Sequence, residues 1–107
     1  MSVLISNGRI TKIGAASKVK SPADAEILDA HGKYLIPGLW NMHVHLGAYA
    51  SGKRALSAYL AEGITGVRDM GSPLEDILRL RQESNDGMIV GPHLVVAGPL
   101  VQGSSTV

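Results

Sequence analysis

The residues Pro37-Gly38-Leu39-Trp40-Asn41-Met42-His43-Val44-His45-Leu46 mark the place where the character of the chain changes. Proline and glycine punctuate, and the run Leu39 to Leu46 that follows has the length and apolar content of a strand. Further on, Ala55, Leu56, Tyr59 and Leu60 recur at helical spacing within Gly52 to Glu62, and Gly63 stands where a helix C-terminal glycine belongs. Ile64 to Asp69 is strand-like again. Ser72-Pro73-Leu74-Glu75 joins capping-box spacing to proline at the first helical position, and Leu74, Ile77, Leu78 and Arg81 fall on successive turns of a second helix that ends near Asn85-Asp86-Gly87. His93 to Ala97, bounded by Gly91-Pro92 and Gly98-Pro99, is a third strand. The order β-α-β-α-β predicts an α/β architecture of parallel strands joined by helical crossovers.

Upstream of Pro37 the reading is different. Val3 to Ile5 and Arg9 to Ile13 flank Ser6-Asn7-Gly8, and Asn-Gly tolerates the positive φ angles of a tight hairpin. Ala15 to Ala25 is a loop, and Glu26 to Asp29 and Tyr34 to Ile36 read as two more strands around the turn Ala30-His31-Gly32-Lys33. The first forty residues are therefore expected to be all-β, with a boundary near Pro37. One compact α+β domain of 107 residues is the other arrangement open to this sequence.

Composition excludes several classes of function. With 45% apolar and 18% charged residues and a net charge of +1, the chain has no field with which to grip nucleic acid or an anionic membrane. The absence of cysteine excludes disulfides, a thiol nucleophile and Cys-ligated zinc. No apolar run approaches the roughly 20 residues of a membrane span, no signal segment follows Met1, and the expected compartment is the cytoplasm. A closed (β/α)₈ barrel needs roughly 250 residues, so any barrel motif here belongs to a part of one.

His43 and His45 are the residues that point to chemistry. Alternate residues of a strand share a face, which sets the two imidazoles side by side near the strand's C-terminal end, before Gly47-Ala48. Two neutral imidazoles so placed can grip one metal ion, while the same spacing alone also fits two solvated or hydrogen-bonded histidines.

The longer run Ile27-Leu28-Asp29-Ala30-His31-Gly32-Lys33-Tyr34-Leu35-Ile36, continuing through Pro37 to Leu46, closely resembles the opening of the metal-dependent amidohydrolases. Ala61-Glu62-Gly63-Ile64-Thr65-Gly66-Val67-Arg68-Asp69-Met70-Gly71 is similar to barrel strand 2 of the branch holding imidazolonepropionase-like and prolidase-like enzymes. Gly91-Pro92 and Ala97-Gly98-Pro99 are similar to the borders of strand 3 there. The resemblance implies that residues 1–37 are a small antiparallel β-sandwich portion and residues 38–107 the N-terminal segment of an incomplete (β/α)₈ TIM barrel. It also implies that His43 and His45 are the first two ligands of one or two divalent metal ions, zinc being expected. The implied reaction is hydrolysis of C–N bonds in small amide, cyclic amide or dipeptide-like substrates by a metal-bound hydroxide. One position departs from the family, which usually carries Asp two residues before the first metal histidine. Asn41 stands there, keeping a carbonyl acceptor and lacking the negative charge.

The family's later ligands, a carboxylated lysine bridge and a proton-shuttling aspartate belong to strands beyond this sequence. The chain alone is therefore expected to be an N-terminal fragment without a complete active site, inactive in isolation. His93 opens its strand and so falls at the opposite end from the metal pair, and His31 lies in a turn of the β unit. Asp69, at a strand's C-terminal end, is a candidate contact to substrate or to the groups behind the metal, or else an acceptor for the turn before Ser72. Tyr49 is a candidate pocket-lining residue. Unpaired strand edges predict self-association into a homo-oligomer. The alternative to an enzyme segment is a stand-alone, non-catalytic assembly or binding module that retains the opening of this fold.

Overall fold

The computed structural model describes residues 1–47, 49–101 and 103. They form two compact units, Met1–Leu35 and Ile36–Val107.

In the first unit, strands β1 (Ser2–Ser6) and β2 (Arg9–Gly14) pair antiparallel. Asn7 at φ 51° and Gly8 at φ 70° supply the two consecutive positive φ angles that a type I′ turn demands, as their sequence predicts. The register slips between Leu4 and Ile5, and the hydroxyl of Thr11 donates to the Leu4 carbonyl at 3.2 Å. A short 3₁₀ helix, Ala16–Lys18, follows.

The expected strands at Glu26 to Asp29 and Tyr34 to Ile36 do not form. The turn between them does: Gly32 sits at φ 72°, Lys33 N–H donates to the Ala30 carbonyl at 3.0 Å, and His31 N–H donates to Asp29 Oδ1 at 2.9 Å. A strand needs a neighbour along its hydrogen-bonding edge and a surface to bury one face. Ile27 and Leu28 are 79% and 84% exposed, so β propensity there meets neither condition.

The second unit is mixed α/β. Its strands β3 (Leu39–Val44), β4 (Ile64–Asp69) and β5 (His93–Val96) form one parallel sheet in the order β3-β4-β5. Helix α1 (Tyr49–Ala61) connects the first two strands and α2 (Leu74–Asn85) the next two. β3 stops two residues short of the expected Leu46, and α1 starts ahead of the expected Gly52. The core is Val44, Leu46, Leu56, Val67, Ile77, Leu80, Ile89 and Leu94, so both helices pack on one face of the sheet. On α2 the buried pair is Ile77 and Leu80; Leu74 and Leu78 of the expected stripe stay exposed, because the helix turns its Ile77–Leu80 face to the core. Gly52 permits the close approach of the helices, since a Cβ there would stand 2.5 Å from Leu80 Cδ1. Gly63, at φ 77°, ends α1 by donating its N–H to the Leu60 carbonyl at 2.9 Å.

The capping box expected at Ser72 is not used. Pro73 is the N-cap of α2, Ile77 N–H donates to its carbonyl at 3.0 Å, and the Ser72 hydroxyl donates instead to Asp69 Oδ2 at 2.7 Å. That bond uses the hydroxyl as a donor, and its accepting oxygen, which a cap would offer to the helix, takes the Gly47 N–H at 3.1 Å instead. Glu75 and Asp76 in the first turn still complement the helix dipole. Among the described residues no helix is long and apolar enough to cross a membrane.

Candidate metal-binding site

The histidine pair sits where β3 departs from regular pairing. Asn41 is in register with Val67 and Val44 with Asp69, so three steps along β3 face two along β4. Such an irregularity re-aims the side chains at a strand end. Two bonds hold it: Arg68 Nε donates to the Met42 carbonyl at 2.9 Å, and Asn41 Oδ1 accepts the His43 N–H at 3.1 Å. Val44 and Leu46 go into the core, leaving His43 and His45 exposed on the sheet's other side.

The two rings converge. Their Nε2 atoms lie 3.2 Å apart, and the ring planes meet at 68°. His45 Nδ1 lies 3.2 Å from the Gly71 carbonyl oxygen, which can only accept; Nδ1 therefore carries the proton, and Nε2 of the neutral ring keeps its lone pair. Two imidazole nitrogens, each about 2.1 Å from a shared zinc ion, subtend about 100° when their separation is that of this pair. That angle suits tetrahedral and octahedral ions alike, so the donor set fits a divalent metal. Among the described residues no third His, Cys, Asp or Glu joins the pair in a metal-holding cluster.

Asp69 stands behind this arrangement, fully buried. Its Oδ2 accepts Leu46 N–H at 2.8 Å and the Ser72 hydroxyl at 2.7 Å, and its Oδ1 accepts Gly71 N–H at 3.1 Å. Ser72 Oγ in turn accepts Gly47 N–H at 3.1 Å. The backbone completes the lacing of the three strand ends: Met70 N–H to the Val44 carbonyl at 2.9 Å, Ala97 N–H to the Asp69 carbonyl at 3.0 Å, and Ser72 N–H to the Gly98 carbonyl at 3.3 Å.

The other candidates fall elsewhere. His93 opens β5 in register with Gly66, and its ring meets Trp40 edge-on at 5.8 Å, toward the N-terminal ends of the strands. His31 belongs to the first unit. Tyr49 opens α1, and its side chain lies outside the described residues. Sequence reasoning missed the Gly71 carbonyl, because every residue type carries one and nothing in the residue pattern marks it.

The amidohydrolase family profile matches residues 34–106. The chain belongs to the amidohydrolase family. The family expected from the run ending in His43-Val44-His45 is thus the one found, and its structural neighbours include prolidase-like proteins. Among curated relatives, an enamidase of Eubacterium barkeri is 35% identical over 77 residues, which are 67% of this chain and 20% of that protein. A dihydroorotase of Geotalea daltonii is 48% identical over 46 residues, 43% of this chain and 10% of that protein. Among solved structures, a prolidase-like protein of Bifidobacterium longum superposes with a TM-score of 0.84 at 30% identity, covering 97% of this chain and 27% of that one. A molinate hydrolase gives 0.85 at 28% identity, covering 92% and 26%. The amidohydrolase chain spans about a quarter or less of the length of these relatives.

Proposed function

We propose that this amidohydrolase chain supplies His43 and His45 as two ligands of a divalent metal ion, with zinc the best match, in an enzyme that hydrolyses C–N bonds. The 3.2 Å convergence of the two Nε2 atoms carries this reading, together with a hydrogen bond that leaves the His45 lone pair facing its neighbour. The substrate class proposed is a small amide, cyclic amide or dipeptide-like molecule. Relatives named enamidase, dihydroorotase, N-substituted formamide deformylase and, among solved structures, Xaa-Pro dipeptidase support that breadth.

Residues 38–107 are read as the first strands of a (β/α)₈ barrel, and residues 1–37 as part of a β-sandwich. The parallel β-α-β-α-β order and the position of the pair at the C-terminal end of its strand support this, since barrel enzymes carry their chemistry at that end. A divalent ion bound at the pair would supply Lewis acidity toward a substrate carbonyl and a water of lowered pKa. The chain's own residues have a narrower task. His45 is oriented by Gly71, and His43 is held through its backbone by the neutral Asn41. The remaining ligands and the proton-transfer group would come from further barrel strands, so the chain by itself is read as catalytically incomplete.

Calorimetric titration of the chain with zinc tests the ligand assignment. About one ion per chain is expected, with affinity reduced at least about tenfold in His43→Ala and in His45→Ala. Equal affinity in all three proteins would place the metal elsewhere.

A further inference from the structure

We propose that Asp69 is the positioning residue of the histidine pair: its buried carboxylate fixes Gly71, whose carbonyl selects the His45 tautomer that leaves Nε2 open to a cation. The proposal rests on the reading of His43 and His45 as metal ligands. Its structural half, the choice of tautomer, stands without a metal.

The hydrogen bonds form one continuous path. Oδ1 of Asp69 accepts the N–H of Gly71, and the carbonyl of that same glycine lies 3.2 Å from His45 Nδ1. Oδ2 accepts the N–H of Leu46, the residue next to His45, and the hydroxyl of Ser72, the residue next to Gly71. One carboxylate thus grips the chain immediately beside the imidazole and the turn that faces it. Both ends of the His45–Gly71 contact are referenced to a single rigid group.

The choice of residue sharpens the argument. Asp69 is 0% exposed, and its hydrogen bonds come from backbone amides and a hydroxyl rather than from a cation. Burying a carboxylate without an opposing charge is costly, and a neutral side chain would tie a turn with less desolvation. A carboxylate is required where three donors converge, because both of its oxygens only accept. Asparagine in its place would present an NH₂ to one of those donors. The Leu46 amide, the Gly71 amide and the Ser72 hydroxyl would then have one accepting oxygen between them, and the Gly71 carbonyl would lose its fixed direction.

Long-range ¹H–¹⁵N correlation spectra of the metal-free chain, recorded at about pH 8, above the ordinary imidazole range, report which ring nitrogen of His45 carries the proton. The expected result is an Nδ1–H tautomer in the wild type, retained in Ser72→Ala and lost in Asp69→Asn. Zinc affinity should fall about 10- to 100-fold in Asp69→Asn alone, while circular dichroism shows the helices intact. An Nε2–H tautomer in the wild type would overturn the proposal. So would a folded Asp69→Asn protein with unchanged tautomer and affinity. Loss of the tautomer in Ser72→Ala, which leaves both carboxylate-to-amide bonds in place, would equally overturn it, and this arm holds even where Asp69→Asn fails to fold. If the wild type binds no zinc, the ligand reading falls and the tautomer spectra still decide the role of Asp69.

Discussion

At the scale of single residues, position on the strand face decides what each group can do. Gly66 lies between Trp40 and His93 in the sheet register, and the Trp40 indole covers it: a Cβ at this position would stand 2.2 Å from Cε2. Gly66→Ala is therefore expected to displace the indole, lowering stability by about 1–3 kcal/mol and shifting Trp40 emission. Urea unfolding followed by fluorescence checks this, and unchanged stability with unchanged emission would show that the ring is not seated there. That His43 and His45 share a face was legible from alternation, because the period of two is a property of any strand, while their reading as a metal pair came from the resemblance of the surrounding run. The partners of Asp69 were not. Leu46 lies 23 residues away in sequence, and only the parallel pairing of β3 with β4 brings its amide to the carboxylate.

At the scale of elements, the order of strands and helices from Leu39 onward followed from periodicity and from the glycines and prolines between segments. Those signals are local, and the core repeats them in part: Leu56 of α1 and Ile77 of α2 fall on predicted stripes and are fully buried, whereas on α2 Leu80, off the stripe, is fully buried and Leu74 and Leu78, on it, are exposed. Leu56→Ala should cost about 2–5 kcal/mol, because the side chain is enclosed between α1, Gly91 and the sheet. Chemical denaturation measures it, and a loss below about 1 kcal/mol would mean that the site collapses around the smaller residue. Gly63→Ala, at φ 77°, should cost about 1 kcal/mol through backbone strain alone. Where local signals failed, the missing information was a partner. Among the described residues Tyr34 to Ile36, though β-prone, has no strand partner, and Ser72 has the spacing of a cap yet bonds to a carboxylate that the local pattern does not reveal.

At the scale of the whole molecule, the parallel sheet of the second unit is where further structure would attach. Among the described residues its outer strands β3 and β5 each have one neighbour, and Leu39, Trp40, Met42 and Val95 on these strands are exposed. Open edges with exposed apolar side chains recruit partners, so light scattering is expected to give a dimer or larger species. A strictly monomeric chain at high concentration would count against that expectation. Amide-hydrolysis assays on the zinc-loaded chain should show no turnover above background if, as proposed, further strands complete the site. The central claim is that the histidine pair holds the ion, and X-ray absorption spectroscopy of the zinc-loaded chain tests it most directly. The account predicts two imidazole nitrogens at about 2.0–2.1 Å in the wild type and one in His43→Ala. A zinc shell of oxygen ligands, the same in both proteins, would contradict it.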